Sequence, residues 1–289
     1  MTANAKNGFL LTSGKWHNHY LNNPVSILVA NLMPTKETTE HQFLQIFDSL
    51  DQDVELTFLY PATHCFKGTP YSTISKAYVR LVDIESSSFD GLIFTGAPVE
   101  QLNFQQVDYW EEFRTICDWA ERHTKETLLE CWAALGGLYN DYQIDKQALP
   151  HKLFGIYGAN KVKQSDKDKW QINLPLRIPQ SRHSTPLINP DNFPHDLKII
   201  AESKEIGPLI YYSPAKHRTY ITGHPEYEID TLAKEFYRDQ KKQLPISEPH
   251  DYFINSKSGD INYNWHQSSI QIYQSWLNTF TQKKVGTLV

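Results

Sequence analysis

The chain has 289 residues, 40% hydrophobic and 21% charged, so it is long enough to bury a sizeable core and has the composition of an ordinary globular protein. A net charge of −5 provides no basic surface and speaks against nucleic acid as a partner. The three cysteines, Cys65, Cys117 and Cys131, are too scattered for a metal cluster or a disulfide framework, and no run nears the roughly 20 apolar residues of a membrane helix. The expectation is a cytoplasmic protein with no membrane partner and no metal. Phe9, Leu10 and Leu11 are too few for the core of a signal peptide.

Residues 1–24 read as a polar N-terminal extension, and 25–289 as a single α/β domain. Residues 25–32 (VSILVANL) form a continuous apolar run, the pattern of a strand buried on both faces. The turn 33–36 follows, and Thr38 or Thr39 is placed to cap a helix with Phe43, Leu44, Ile46, Phe47 and Leu50 inward. Residues 54–60 alternate as a second strand, and 61–70 read as a loop. Residues 72–82 read as a helix or a loop–helix insertion, 89–95 as a strand broken by Gly96, Ala97 and Pro98, and 109–123 as an amphipathic helix with Cys117 in the core. Residues 127–130 are a strand ending at Cys131, with small residues opening a helix behind it. Strand and helix alternate four times, which predicts a mostly parallel sheet with helices on both faces.

The pattern changes from Leu149. Residues 161–169 read as a charged loop, 174–178 and 197–201 as strands, and Ser181, Arg182 and His183 as part of a loop between them. Residues 209–214 and 218–222 resemble a hairpin. Residues 230–240 follow as a helix with Leu232, Phe236 and Tyr237 inward, then a long loop over 241–265 and a closing helix over 265–280.

Ligands of such sheets sit at the carboxyl ends of the strands, and Lys36, Ala97, Glu100 and Cys131 all follow strands directly. A cysteine at a sharp strand-to-helix turn has the helix N-terminus beneath it, where free N–H groups and the dipole favour a thiolate and an oxyanion. A free cysteine is otherwise usually inert packing. A thiolate nucleophile needs a base, and among twelve histidines His224 is best placed, at a strand end between Gly223 and Pro225. Glu226 is positioned to hold the other ring nitrogen.

Five segments occur together and in order: 31–36 (NLMPTK), 89–98 (FDGLIFTGAP), 130–133 (ECWA), 222–227 (TGHPEY) and 235–239 (EFYRD). Together they resemble the motifs of the homoserine O-acyltransferase (transsuccinylase) family, over nearly the whole of 25–280. That family resembles the flavodoxin-like fold of class I glutamine amidotransferases, with a Cys–His–Glu triad. The resemblance implies Cys131 as acyl-thioester nucleophile, His224 as general base and Glu226 as its partner. It implies substrate contacts from Lys152, Ser181 and Lys36, and an Arg238 that grips the carboxylate of an amino acid as only a planar fork can. In the family a glycine at the position of Glu100 goes with succinyl-CoA and a glutamate with acetyl-CoA. A carboxylate in the acyl pocket would fill space and repel a succinyl carboxylate. The turn geometry points to the backbone N–H groups of Trp132 and Ala97 as the oxyanion hole. The resemblance further implies acetyl-CoA as co-substrate, no bound cofactor and a homodimer.

The chain departs from the family pattern at Thr35, Leu135, Gly158, Ala159 and Gln180, all expected near the acceptor end of the pocket. The resemblance makes homoserine the first expected acceptor, and these departures keep serine, one methylene shorter, a close second. Two other functions compete on the same fold. A glutaminase would place glycines tightly around the cysteine, where Glu130 and Trp132 stand, and a non-catalytic domain would lack a triad member.

Overall fold

The computed structural model describes residues 2–66, 68–161, 170, 172–173 and 175–281. In chain order these form β1 (Ala3–Ala5), α1 (Phe9–Thr12), β2 (Val25–Ala30), α2 (Lys36–Asp48), β3 (Val54–Leu59), α3 (Tyr71–Ala77), β4 (Gly91–Phe94), α4 (Trp110–His123), β5 (Glu126–Glu130) and α5 (Trp132–Tyr142). There follow β6 (Lys146–Lys161), β7 (Leu176–Pro186), β8 (Lys198–Ser203), β9 (Gly207–Ser213), β10 (Arg218–Ile221), α6 (Thr231–Lys241), the short pair β11 (Phe253–Asn255) and β12 (Asp260–Ile261), and α7 (His266–Thr281).

Strands β1 to β10 make one sheet in the order β1-β3-β2-β4-β5-β10-β9-β8-β6-β7. From β1 to β10 the neighbours are parallel, and from β10 to β7 they are antiparallel. Strand alternation explains why β2 reads as an unbroken apolar run. Ile27 and Val29 face a core built with Phe43 and Phe47 of α2 and Tyr273 and Trp276 of α7, while Leu28 and Ala30 face Phe113 of α4 and Trp132 and Leu135 of α5. Ile27, Leu28 and Val29 are each fully buried, which stabilises the fold by about 1.5–3 kcal/mol per side chain. A third core joins Phe154 and Ile156 of β6 to Leu232 and Phe236 of α6, with Tyr227, Tyr252 and Trp265.

Several sequence expectations change. The polar start supplies β1, an edge strand parallel to β3, held by side-chain bonds such as Asn4 Nδ2 to the His19 carbonyl (2.7 Å) and Asn7 Nδ2 to the Phe58 carbonyl (2.8 Å). Helix α2 begins at Lys36 behind Thr35, so Thr39 lies within it and turns its hydroxyl back to the Thr35 carbonyl. Ser181, Arg182 and His183 are not in a loop. They lie in β7, whose polar residues hid an inward row of Leu176, Ile178, Gln180, Arg182 and Ser184. Tyr237 is exposed, because the inward face of α6 carries Leu232, Ala233, Phe236 and Asp239. The charged stretch 162–169 and Leu174 lie outside the described residues.

This order places the carboxyl ends of β4, β5 and β10 side by side on one edge of the sheet. Gly96, Cys131 and His224 follow those three ends.

Candidate active site

Cys131 has φ 49° and ψ −114°, a backbone conformation that L-residues rarely adopt, between the last residue of β5 and the first of α5. Its N–H still bonds the Ile221 carbonyl at 2.8 Å, so the β5–β10 ladder runs up to the turn and holds it. On the neighbouring strand His224 donates its backbone N–H to the Pro179 carbonyl (2.9 Å), which ties the β10 end to β7. Gly223 makes that approach possible, since a Cβ there would meet the Pro179 carbonyl at 2.5 Å and Gln180 Nε2 at 2.2 Å.

The three candidate residues come together through side chains. His224 Nδ1 lies 2.7 Å from Glu226 Oε1, and the ring and the Cys131 side chain both stand against Gly96. All three residues are buried, Cys131 to 5% exposure and the other two to 3%. Burial alone would lower the His224 pKa. The Cys131 thiolate and the Glu226 carboxylate outweigh it and hold the imidazolium well above its ordinary range. The imidazolium form of His224 is therefore favoured, with Nδ1–H donated to Glu226. Gly96 stands against His224 and Cys131, its ideal Cβ only 2.7 Å from His224 Cε1 and 3.1 Å from Cys131 Cβ.

A second cluster adjoins the first through Tyr227, whose ring stacks on His224 at 4.2 Å and whose hydroxyl donates to Glu235 Oε1 at 2.8 Å. Glu235 Oε2 accepts from Ser181 Oγ (2.6 Å) and pairs with Lys152 Nζ (3.1 Å), which also lies 3.5 Å from Asp239 and 4.2 Å above the Phe154 ring. Burial pushes the Glu235 carboxyl up, but Lys152, Ser181 and Tyr227 together bring it below its usual range. Arg238 Nε donates to Asp239 Oδ1 at 2.7 Å, while its side chain remains 53% exposed. Its guanidinium thus has one nitrogen anchored on a carboxylate and half its surface open.

Arg182, fully buried on β7, donates to Gln180 Oε1 (2.9 Å) and to the Ser184 carbonyl (2.6 Å). Burial lowers its pKa, and Cys131 leads the groups that oppose this, with Glu100 among them. Glu100 is half-buried, and its Oε2 has no hydrogen-bond partner among the described residues. Its backbone carbonyl accepts from Lys146 Nζ and from Ser184 Oγ (3.3 Å).

The structure thus joins Cys131, His224 and Glu226, and gathers Lys152, Ser181 and Arg238 around Glu235 and Asp239. Trp132 opens α5 directly behind Cys131, and Ala97 follows Gly96. Lys36 belongs to neither cluster. Its buried amine bonds the Asn31 carbonyl at 2.5 Å and lies 5.4 Å from the Phe66 ring centre, and burial, partly offset by Glu40, lowers its pKa to about 7. Sequence reasoning missed Arg182, Tyr227 and Glu235 as site residues. The period-2 row along β7 was the available signal for Arg182, and the i, i+3 spacing of Glu235 and Arg238 the signal for Glu235. Among the described residues no cluster of His, Cys and carboxylates could hold a metal ion.

A family model described as homoserine O-succinyltransferase matches residues 4–286. The chain belongs to this family. Curated relatives agree. A homoserine O-acetyltransferase from Bacillus licheniformis is 36% identical, covering 90% of this chain and 87% of the relative. Another from Thermotoga petrophila is 36% identical, covering 95% and 90%, and one from Bacillus subtilis is 33% identical, covering 90% and 87%. Solved structures place this member of the homoserine O-succinyltransferase family on the class I glutamine amidotransferase fold. A glutamine amidotransferase from Methylobacillus flagellatus superposes with a TM-score of 0.57 at 11% identity, covering 90% of this chain and 96% of that one. One from Thermotoga maritima gives 0.51 at 11% identity, covering 90% and 97%. At such identities the likeness concerns the fold alone. Family and relatives together make the chain an amino-acid O-acyltransferase, and no helix among the described residues is long and apolar enough to cross a membrane.

Proposed function

We propose that the chain transfers acetyl from acetyl-CoA, through a thioester on Cys131, to the hydroxyl of a small amino acid, with L-homoserine the first acceptor and L-serine the second. The observation that carries this reading is the buried Cys131–His224–Glu226 triad beside the Arg238 cluster, in a chain whose relatives are named homoserine O-acetyltransferases. The Cys131 thiolate attacks the thioester carbonyl carbon. The tetrahedral oxyanion is held by the N–H groups of Trp132 and Ala97, and CoA departs with the proton carried by His224. The acceptor then enters with its carboxylate on the open face of Arg238. His224 takes the hydroxyl proton, the oxygen attacks the acetyl carbon, and the Cys131 thiolate leaves. Acetyl-CoA is a substrate here, no resident cofactor is required, and a homodimer belongs to the same reading.

The acyl group is the finer question, because the family description names succinyl and the relatives acetyl. Glu100 favours acetyl. It brings a carboxylate to the neighbourhood of Arg182, a buried cation that also lies within the influence of Cys131, and so occupies the partner a succinyl carboxylate would need. Serine stays in the reading because Gln180, fully buried next to Ser181, departs from the family pattern at the acceptor end. A methylene is worth only about 1–3 kcal/mol in discrimination.

The test is thiol release from acetyl-CoA with L-homoserine and L-serine side by side and succinyl-CoA as control, plus intact-protein mass spectrometry without acceptor. The expected result is an acetylated Cys131 and turnover with one or both acceptors. Glutamine hydrolysis without acyl transfer would overturn the proposal.

A further inference from the structure

Glu130, the residue before the nucleophile, has no part in the chemistry above, yet it is fully buried beside it. Its Oε1 accepts a hydrogen bond from Tyr273 Oη of α7 at 2.5 Å, and its Oε2 has no partner among the described residues. Glu226 shows the same imbalance. Its Oε1 is used by His224, and its Oε2 is buried with no partner among the described residues. The β5–β10 register sets Glu130 opposite Ile221, three residues before His224 and five before Glu226. The titratable groups facing Glu130 are Glu226 and His224 from the turn after β10, Tyr273 from α7 and Cys131 from its own chain segment. From α2 the rings of Phe43 and Phe47 pack on the Tyr273 ring, so that side brings aromatic surface.

A buried carboxylate oxygen without a donor is costly, and two of them near one another are worse, because each charge opposes the other. The Glu226 carboxylate already takes the His224 imidazolium as its partner. A second carboxylate anion beside it would lack a counter-charge, whereas a single proton between the two carboxyls satisfies both vacant oxygens at once.

We propose that Glu130 is kept as the neutral acid and donates its proton to the vacant Oε2 of Glu226, so that Tyr273, Glu130, Glu226 and His224 form one hydrogen-bonded chain behind Cys131. Burial first, and the charge of Glu226 second, push the Glu130 carboxyl well above the usual range, with the Tyr273 bond only partly offsetting them. Glu130 is thus a positioning residue. It fixes the carboxylate that fixes the imidazole, and it does so without adding charge to the site.

The test uses the full chain and the pH dependence of Cys131 alkylation by iodoacetamide. This readout needs no substrate. It rests on the triad of the proposed function but not on its acyl chemistry, so normal alkylation without acetyl transfer would sink the functional reading and leave this one standing. Glu130→Gln, whose amide N–H replaces the acid proton, is expected to keep the profile and a neutral-pH rate within about twofold of the parent. Glu130→Leu, which has no donor, is expected to lose about tenfold and to change the profile. If Glu130 were ionised, Glu130→Gln would remove an anion beside both members of the ion pair and move the profile toward acid by about one pH unit or more. That shift, or equal behaviour of the Gln and Leu variants, would overturn the proposal. Infrared spectra provide a second measurement that does not depend on the Leu variant folding. At neutral pH the parent should show a protonated-carboxyl C=O band that Glu130→Gln lacks, and absence of the band in the parent would also overturn it.

Discussion

Gly96 gives the most direct test of the site's geometry. A methyl group there would lie 2.7 Å from His224 Cε1, 3.1 Å from Cys131 Cβ and 3.6 Å from His224 Nε2. Carbon atoms pack at about 3.5–4.0 Å, so the imidazole must retreat by about 1 Å. It has little room to do so, with Tyr227 stacked on it at 4.2 Å and Nδ1 held by Glu226 at 2.7 Å. Gly96 does not occupy the left-handed region, so the effect of Gly96→Ala is steric. Overpacking of this kind costs about 1–3 kcal/mol, and a displacement of about 1 Å at the reacting groups lowers turnover about 10²-fold. The assay is kcat for thiol release together with the rate of Cys131 alkylation and a thermal melt. The variant should melt a few degrees lower and lose turnover far out of proportion to that loss. A folded Gly96→Ala enzyme with kcat within about threefold of the parent would show that the imidazole is not confined as described.

Glu100→Gly should raise the kcat/KM ratio of succinyl-CoA to acetyl-CoA about tenfold or more, equivalent to about 1.4 kcal/mol, and an unchanged ratio would reduce Glu100 to a bystander. Arg238→Ala removes a charge-assisted grip worth about 1.5–3 kcal/mol, so the acceptor KM should rise about 10–100-fold while acetylation of Cys131 proceeds; a normal KM would end its carboxylate role. Lys36 makes a prediction in pH. Its pKa falls from 10.5 unfolded to about 7 folded, so between those values the unfolded chain binds more protons and stability rises with pH, by at most about 1.4 kcal/mol per unit. Lys36→Met should flatten that rise, and denaturant melts at pH 7 and pH 9 that move in parallel for both proteins would refute it. Cys131→Gly should be more stable than Cys131→Ala by about 1–3 kcal/mol, because only glycine adopts the turn's positive φ without strain; the reverse order would mean that the turn relaxes.

The parts of the fold that were legible in the sequence share one physical property. In the parallel half of the sheet both faces are covered, so β2 and β4 announce themselves as apolar runs and β3 as an alternating one, and the residues just beyond them lie at the edge that carries the candidate site. Cys131 was readable because it ends such a run, and His224 because it ends a predicted strand between Gly223 and Pro225. In the antiparallel half β8 and β9 still read as strands, and most of β7 does not. The inner face of β7 carries Gln180, Arg182 and Ser184, because that face serves the site and not the core, and a strand with a polar inner face resembles a loop. Three residues are too few for β1 to show any period, and its place depends on side-chain bonds from Asn4 and Asn7 to distant carbonyls. Tyr237 failed for a different reason. It neighbours Phe236 in sequence, and about 100° of helical rotation per residue turns it away from the face that Phe236 occupies.

The two halves of the site do different work, and this bears on why the triad alone does not choose the reaction. A buried cysteine beside an imidazolium at a strained turn can form an acyl-enzyme from a thioester or from an amide, and the fold is shared with proteins named glutamine amidotransferases. On the proposed function, what directs the acyl group is the other half, where β6, β7 and α6 gather Lys152, Ser181, Glu235 and Arg238 beside Tyr227. Lys152 neutralises the Glu235 carboxylate, and Asp239 anchors one edge of Arg238, so the remaining open cationic surface is presented to an incoming carboxylate. In the proposed reaction an acceptor seated there would bring its hydroxyl to His224 and compete with water by position, not by nucleophilicity. In Arg238→Ala the acetyl-enzyme should still form and then persist, since a nucleophile delivered only by diffusion meets a cysteine that is 5% exposed. Rapid loss of the acetyl group to water in that variant would mean that the pocket itself does not exclude water, and that the choice between transfer and hydrolysis is made elsewhere.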